Sequence, residues 1–409
     1  MDERQKAPHI LLAHLRISFL GICALAALTF AAEHCVCFKF ASPSAPAAGF
    51  GQIPLRLRAA EELPNGYTRT QLSASGGPAK APLNLFSRSA PLKVRLEHRE
   101  PAATYTAYGE VGGPLGSSVE CTGASGASGS EGEPGDEVHH LVFSYDPSAL
   151  SGKTQEPFRY LEGQSVSFVN LKDQREGQIQ SGAPPPKPRL YSVASSPLCP
   201  DKGLQHSFSL CVKRHRYRAP DGRFDPCKDG LCSSLLCTAP IGTEFEIAGP
   251  VGASLLLPAD RDAPLIFACT GTGAAPLRSF LRRVFAERRN GPVVAYIGAA
   301  KAASTPYARE WEALQQLLPP SQLQLRFAYS REMKAPDGGR LYVQHLMEAD
   351  GDELLRLFEE GALMYVCGRK DMLPPIKAAL QAAAQKNNVD FSTLFKSLIA
   401  SKRWRAEVY

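Results

Sequence analysis

Apolar and polar positions alternate in short runs at 94–97, 139–145, 164–170, 189–195, 207–217 and 244–251. A period of two marks half-buried strands. With turn residues between the runs, this stretch predicts a small antiparallel β-barrel. Past residue 262 the pattern changes: apolar runs at 265–269, 293–298, 323–330, 363–367 and 404–408 alternate with helical stretches. That alternation predicts an α/β doubly wound parallel sheet. Leu277, Phe280, Leu281, Val284 and Phe285 follow helical spacing, with Arg278, Arg282, Arg283, Arg288 and Arg289 off the stripe; the arginines read as a solvated face. Phe391, Leu394, Phe395, Leu398 and Ile399 repeat the spacing and read as core.

The front of the chain has neither pattern. Arg4, Lys6 and Arg16 precede an apolar run at 17–32 that is short for a membrane span, followed by small residues. Residues 1–35 therefore read as a secretory signal, with a single N-terminal anchor as the alternative. Residues 36–90 are rich in Ala, Ser, Pro, Gly and Arg, the composition of a transit peptide. Signal and transit segments in series imply a route through the secretory pathway into a plastid, and a mature chain without a stable transmembrane segment. Residues 91–260 then form the barrel domain and 261–409 the α/β domain. The Gly/Ser/Glu-rich insertion at 112–136 is too polar to pack and is expected to be a disordered surface loop, and the run at 184–188 is proline-rich.

Charge and cysteine content narrow the classes. The net charge is +6, of which residues 1–89 carry 9 basic against 5 acidic side chains, leaving 37 against 35 beyond. So even a balance gives no nucleic-acid footprint. Of the 11 cysteines, Cys23, Cys35 and Cys37 precede the domains; Cys227, Cys232 and Cys237, five apart, match neither zinc nor iron–sulfur spacing. No metal site is expected, and the thiols read as mostly reduced and buried.

Several stretches carry candidate chemistry. In RLYSVASS (189–196), Arg189 and Tyr191 share one side of a strand, offering a guanidinium for a pyrophosphate and a ring for an isoalloxazine, with Ser192 at the flavin edge. An ordinary barrel strand with a surface arginine fits these eight residues equally well. Lys213 and Tyr217, four apart in one run, would face phosphate and adenine together, unless they belong to a solvated basic strand. Asp229-Gly230-Leu231-Cys232-Ser233 reads as a glycine turn opening a short helix, with free N–H groups and Ser233 available to a pyrophosphate. TGTGAAP (270–276) lacks the dinucleotide fingerprint spacing but lets backbone approach a pyrophosphate at a helix start. Ser330, Arg331, Arg340 and Tyr342 follow the third parallel strand and favour NADP over NAD, although Glu332 and Asp337 lie close by. Cys367 stands where the fourth strand ends, and an aromatic, Tyr409, at the end of the fifth.

Together with SLCVKRHRY, GPVG, YVCG and WRAEVY, these motifs resemble plant-type ferredoxin-NADP+ reductase over residues 91–409, in order and with family spacing. The resemblance implies FAD and NADP(H) as cofactors and a plant-type ferredoxin as partner. It implies hydride exchange between nicotinamide C4 and flavin N5, with one-electron steps to ferredoxin. Carried over by position, Arg189, Leu190, Tyr191, Ser192, Cys211, Lys213, Tyr217, Gly230, Leu231, Cys232, Ser233 and Tyr409 would contact FAD. Lys213, Thr272, Gly273, Ser330, Arg331, Arg340, Tyr342, Gln344, Cys367 and Gly368 would hold NADP, and Ser192, Cys367, Glu407 and Tyr409 would carry catalysis. Cys269 and Ala274 depart from the usual Gly and Ile or Val, Arg340 from a common lysine, and Ala299-Ala300 from a frequent Val-Pro. Acidic ferredoxin would dock on basic residues among Lys93, Arg95, Arg99, Lys402, Arg403 and Arg405. A diaphorase serving another acceptor and a flavin-bound docking module are the competing readings.

Overall fold

The computed structural model describes residues 81–103, 137–171 and 187–409, and the backbone of a two-residue ladder joining Glu62–Leu63 to Tyr67–Thr68. The expected signal and transit peptides, apart from that ladder and residues 81–90, the 112–136 insertion and prolines 184–186 lie outside the described residues.

Six strands build an antiparallel sheet: β1 (Leu92–Pro101), β2 (Val138–Tyr145), β3 (Ser165–Val169), β4 (Arg189–Ser192), β5 (Ser207–Lys213) and β6 (Glu244–Val251), in the order β4-β3-β6-β1-β2-β5. Its edges meet. Past Ser192 the chain leaves β3, Val193 bridges Leu210, and the Ala194 N–H donates to the Ser209 carbonyl at 2.8 Å. The sheet thus closes around Phe143, Phe168, Phe208 and Phe245, whose rings lie within 6 Å of one another in pairs. The predicted strand at 207–217 is shorter than expected. After Lys213 the backbone amides are spent elsewhere: the His215 N–H donates to Ser233 Oγ at 3.0 Å and the Tyr217 N–H to Asp229 Oδ1 at 2.7 Å. Lys213 and Tyr217 therefore do not share a strand face, which corrects that expectation. The two partners lie at the start of α1 (Leu231–Thr238).

The second half is a parallel sheet of β7 (Leu265–Thr270), β8 (Val293–Ala299), β9 (Leu323–Tyr329), β10 (Leu363–Gly368) and β11 (Trp404–Val408), ordered β9-β8-β7-β10-β11. Helices α2 (Ala274–Glu287), α3 (Ala308–Leu317), α4 (Val343–Ala349), α5 (Gly351–Glu359), α6 (Leu373–Lys386) and α7 (Phe391–Ala400) connect the strands. Apolar cores lie on both faces, as doubly wound sheets require. The strand order reverses between β7 and β10, so a crevice opens at their carboxyl ends. Of the α7 stripe only Leu398 is fully buried; Phe391, Leu394 and Phe395 are half-buried and Ile399 is exposed, because one side of this helix packs and the other does not. Among the described residues no helix is long and apolar enough to cross a membrane.

The arginines of α2 are not a solvated face. Arg278, 4% exposed, reaches into the barrel half. It grips Asp201 through both Nη atoms at 2.7 and 3.1 Å, donates to the Ala194 carbonyl at 2.9 Å, and holds Glu310 through Nε at 2.8 Å. Arg282 joins the same two carboxylates, and Arg283 pairs Glu162 at 2.8 Å. His140 and Tyr307 complete the knot at 3.1 Å, and the Tyr307 N–H donates to the Ala102 carbonyl at 2.7 Å. A helical wheel cannot show this, since the partners lie far off in sequence: Asp201, Ala194 and Glu162 in the barrel half and Glu310 on α3. Burial alone would raise the Asp201 pKa, but the charges of Arg278 and Arg282 outweigh it and hold the carboxyl well below its usual range.

Asp201→Asn should cost about 3–5 kcal/mol, since it leaves two buried guanidiniums to share the single carboxylate of Glu310, read as a lower urea midpoint. The depressed pKa sets the pH sign: this stabilisation is complete above the unfolded-state value near ~4 and is lost as pH falls toward the folded-state one. Acid unfolding of the Asn variant should accordingly depend less on pH in that window.

Candidate functional site

The crevice floor is built by backbones at their closest approach. β7 ends at Thr270, Gly271 takes φ +55°, and a short turn leads into α2. A Cβ on Gly273 would lie 2.2 Å from the Cys367 carbonyl oxygen, so only glycine lets α2 start this close to β10. Gly368, at φ +138°, meets Thr270 with the same tightness. Neither the Gly271–Gly273 turn nor α2, which it opens, has a side-chain cap, which leaves amides of the turn to face an anion.

Tyr409 stands over this floor. Its N–H donates to the Gly368 carbonyl at 3.0 Å, and its own carbonyl accepts from the Lys370 N–H at 2.9 Å. Such a tether prevents the fraying common at a chain end. The phenol meets Thr272 Oγ1 at 3.1 Å, while 69% of the residue stays exposed. A flat ring is thus held firmly and offered to whatever lies above.

Cys367 and Glu407 are register partners on β10 and β11. Burial, and then the Glu407 charge, push the Cys367 thiol up to about 12. Burial also raises the Glu407 carboxyl above the usual range, and its Oε2 is buried with no hydrogen-bond partner. On the barrel side, a Cβ on Gly252 would lie 4.0 Å from Glu407 Oε1. Next to Gly252, Val251 pairs with Ser165, and Ser165 pairs in turn with Ser192, their hydroxyls 3.4 Å apart. Ser192, Cys367 and the Glu407–Tyr409 segment, remote from one another in sequence, therefore converge on the seam between the sheets.

The predicted flavin strand is β4. Arg189 and Leu190 are exposed, Leu190 by 63%, while the half-buried Tyr191 sets its ring edge-on against Phe168. Its hydroxyl lies within electrostatic reach of the Cys232 thiol, which places β4 beside the first turn of α1. Gly230 and Leu231 open that turn with no side-chain cap. The Ser233 hydroxyl, expected to be available for a pyrophosphate, instead accepts from the His215 N–H and donates to the Gly230 carbonyl at 3.2 Å. Tyr217 lies beside the same turn, with Lys228 Nζ 5.2 Å from its ring, and Lys213 is exposed at the end of β5. The Cys211 thiol is buried in the apolar cluster shared by the two domains, within electrostatic reach of Tyr307 and of Tyr409.

At the far side of the parallel sheet, Arg331 and Arg340 are exposed on a hairpin closed between Ala335 and Gly339. Ser330 follows β9 with its Oγ 3.4 Å from the Ala299 carbonyl. Tyr342 is exposed at the start of α4, beside half-buried Gln344. The two nearby acids are occupied: Glu332 accepts from the Ala302 N–H and Asp337 from the Gly339 N–H, both at 2.8 Å. Neither charge is spent on the arginines' guanidiniums, which suits an anionic ligand.

Two contributors escaped the sequence reading. Thr270 accepts from the Arg369 N–H at 3.3 Å and so shapes the floor. Arg369 itself, clamped to Asp371 at 2.6 Å, has its guanidinium within electrostatic reach of both Tyr409 and Tyr342. Its place directly after Cys367-Gly368 was the available signal.

A family model described as "Oxidoreductase NAD-binding domain" matches residues 267–378. Over 334 residues the chain is 34% identical to "Ferredoxin--NADP reductase, chloroplastic" of Chlamydomonas reinhardtii, covering 80% of this chain and 83% of that protein. With its counterpart from Mesembryanthemum crystallinum the identity is 36% over 282 residues, 68% of this chain and 72% of that one. Among solved structures, "Ferredoxin-NADP+ reductase from Plasmodium falciparum" shares the fold at a TM-score of 0.54 and 22% identity, covering 80% of this chain and 100% of that one. Identity at this level, sustained over most of both the chain and its algal relative, means that the chain belongs to the ferredoxin-NADP+ reductase family.

Proposed function

We propose that this oxidoreductase carries electrons from NADPH to a plant-type ferredoxin in a non-photosynthetic plastid. The observation that carries the reading is the seam itself: an exposed, tethered Tyr409 ring beside Cys367, with a Glu407 carboxyl whose Oε2 is buried and unpartnered next to both. As a member of its family the chain uses FAD and NADP(H).

The residues present fit both groups. Uncapped helix starts at α1 and α2 suit two pyrophosphates, and the exposed Tyr409 ring suits a planar heterocycle. Arg189, Tyr191 and the Gly230–Ser233 turn would hold FAD on the barrel side, and Tyr217 its adenine end. Gly273 and the α2 N-terminus would take the pyrophosphate of NADP, with Ser330, Arg331, Arg340, Tyr342 and Gln344 around its 2'-phosphate. FAD, when bound, supplies the chemistry that links a two-electron donor to a one-electron carrier. The chain's share is position. Tyr409 would cover the nicotinamide position and give way to it, Cys367 would limit the depth of entry, and Ser192 would offer a hydroxyl to the flavin edge. Glu407 holds or releases a proton beside them, its raised pKa bringing that exchange closer to neutrality.

Of the docking candidates, the Arg99, Arg403 and Arg405 guanidiniums are tied to the carbonyls of Ala239, Phe358 and Leu256. Lys93, Arg95 and Lys402 remain turned outward and carry the proposal for an acidic ferredoxin. The leader's composition and the chloroplastic relatives support plastid import, reached here through the secretory pathway into an apicoplast-like compartment.

The direct test is NADPH-dependent cytochrome c reduction by residues 90–409, with and without a plastid-type ferredoxin, repeated with NADH. Strong ferredoxin dependence with NADPH preference is expected; flavin reduction indifferent to ferredoxin would assign another acceptor. Tyr409→Ser should tighten nicotinamide binding about threefold to tenfold, the worth of one ring contact, and slow turnover. Unchanged nicotinamide difference spectra would remove Tyr409 from that position. Glu407→Gln should lower the single-turnover hydride-transfer rate about tenfold or more and flatten its dependence on pH, with FAD content unaltered.

A further inference from the structure

Cys269 near the end of β7 and Cys367 near the end of β10 are register partners in the parallel sheet. Side chains so paired project to one face from strands about 4.8 Å apart. Two residues earlier on the same strands, Phe267 and Tyr365 display the outcome: their rings stack at 4.8 Å and 13°. Strand alternation returns Cys269 and Cys367 to that face, and all four side chains belong to one apolar cluster. Cys367 is 8% exposed at the crevice and Cys269 2% exposed behind it. Nothing in the reading of the site uses Cys269.

We propose that Cys269 and Cys367 form a vicinal dithiol that captures trivalent arsenicals of the R–As=O class and thereby closes the nicotinamide end of the crevice. Two S–H bonds and the As=O bond break, two As–S bonds form, and the oxygen leaves with both protons as water. Arsenic stays trivalent and nothing is oxidised or reduced. Burial holds both thiols protonated, with Cys367 pushed up to about 12 and Cys269 higher, so reagents that seek a thiolate react slowly. Condensation with an arsenical consumes the S–H form, and its second As–S bond forms within one molecule, where proximity favours it. The third thiol nearby, Cys211, comes from β5 on the barrel side and lies within electrostatic reach of Cys269, so peptide mapping must separate it.

The inference takes its route of entry, but not its dithiol, from the proposed nicotinamide site. The test treats the FAD-loaded full chain with phenylarsine oxide, in a Cys35→Ser/Cys37→Ser background because that pair, two residues apart, would also chelate. Intact mass should show one arsenical added with loss of one water, peptide mapping should place it on Cys269 and Cys367, and a dithiol but not a monothiol should reverse it. NADP+ should slow the reaction. Cys269→Gly and Cys269→Ser should keep turnover without arsenical and resist inactivation about tenfold or more, the loss of the chelating bond. An adduct unchanged in both variants, or one mapped to Cys211, overturns the proposal. A bridged adduct that NADP+ fails to slow upholds the dithiol and removes Cys367 from the nicotinamide site.

Discussion

The guanidinium of Arg278 is the point on which the two halves of the molecule agree. It is enclosed by protein, and its donors end on a carboxylate and a carbonyl from the barrel half and a carboxylate from α3. A buried ion pair adds little net stability, because desolvation offsets much of the attraction, but it penalises every arrangement that leaves one member unpaired. That penalty is what a site assembled across a seam requires. Ser192 belongs to one sheet and Cys367, Glu407 and Tyr409 to the other, and tenths of an ångström between them follow from how firmly α2 is seated on the barrel.

Around that fixed seam, the floor is made of positions that tolerate no side chain and the roof of a ring that tolerates displacement. Gly273 and Gly368 bring three backbones to contact distance, so the α2 amides and the end of β10 address the same volume. Tyr409 combines a main chain bonded on both sides with a side chain held by one hydroxyl contact. Rigidity thus lies in the backbone and compliance in one phenol. The buried, unpartnered Glu407 oxygen beside them is the kind of unmet polar group a protein retains where chemistry uses it.

Both sheets were legible in the sequence because alternation of period two and the switch to strand and helix are local signals. The convergence of Ser192, Cys367, Glu407 and Tyr409 came from motif resemblance; no spacing along the chain brings Ser192 near Glu407. Where local pattern alone was used, it failed for a common reason. Arg278 looked solvated because its partners lie 77 and 32 residues away. Tyr217 looked like strand because alternation cannot tell that Asp229 will take its N–H. Phe391 and Phe395 looked like core because a stripe shows which face is apolar, not whether anything covers it.

The seam closing the barrel and the clamp joining the domains run through one residue. Ala194 gives its N–H to Ser209 to shut the sheet and receives Arg278 on its carbonyl. Neither bond can be lost without loosening the backbone that makes the other. Opening the barrel and releasing the α/β half are therefore coupled through the backbone of Ala194. The Ala194 amide thus stands at a backbone position that both the closing of the barrel and the docking of the α/β half hold in place.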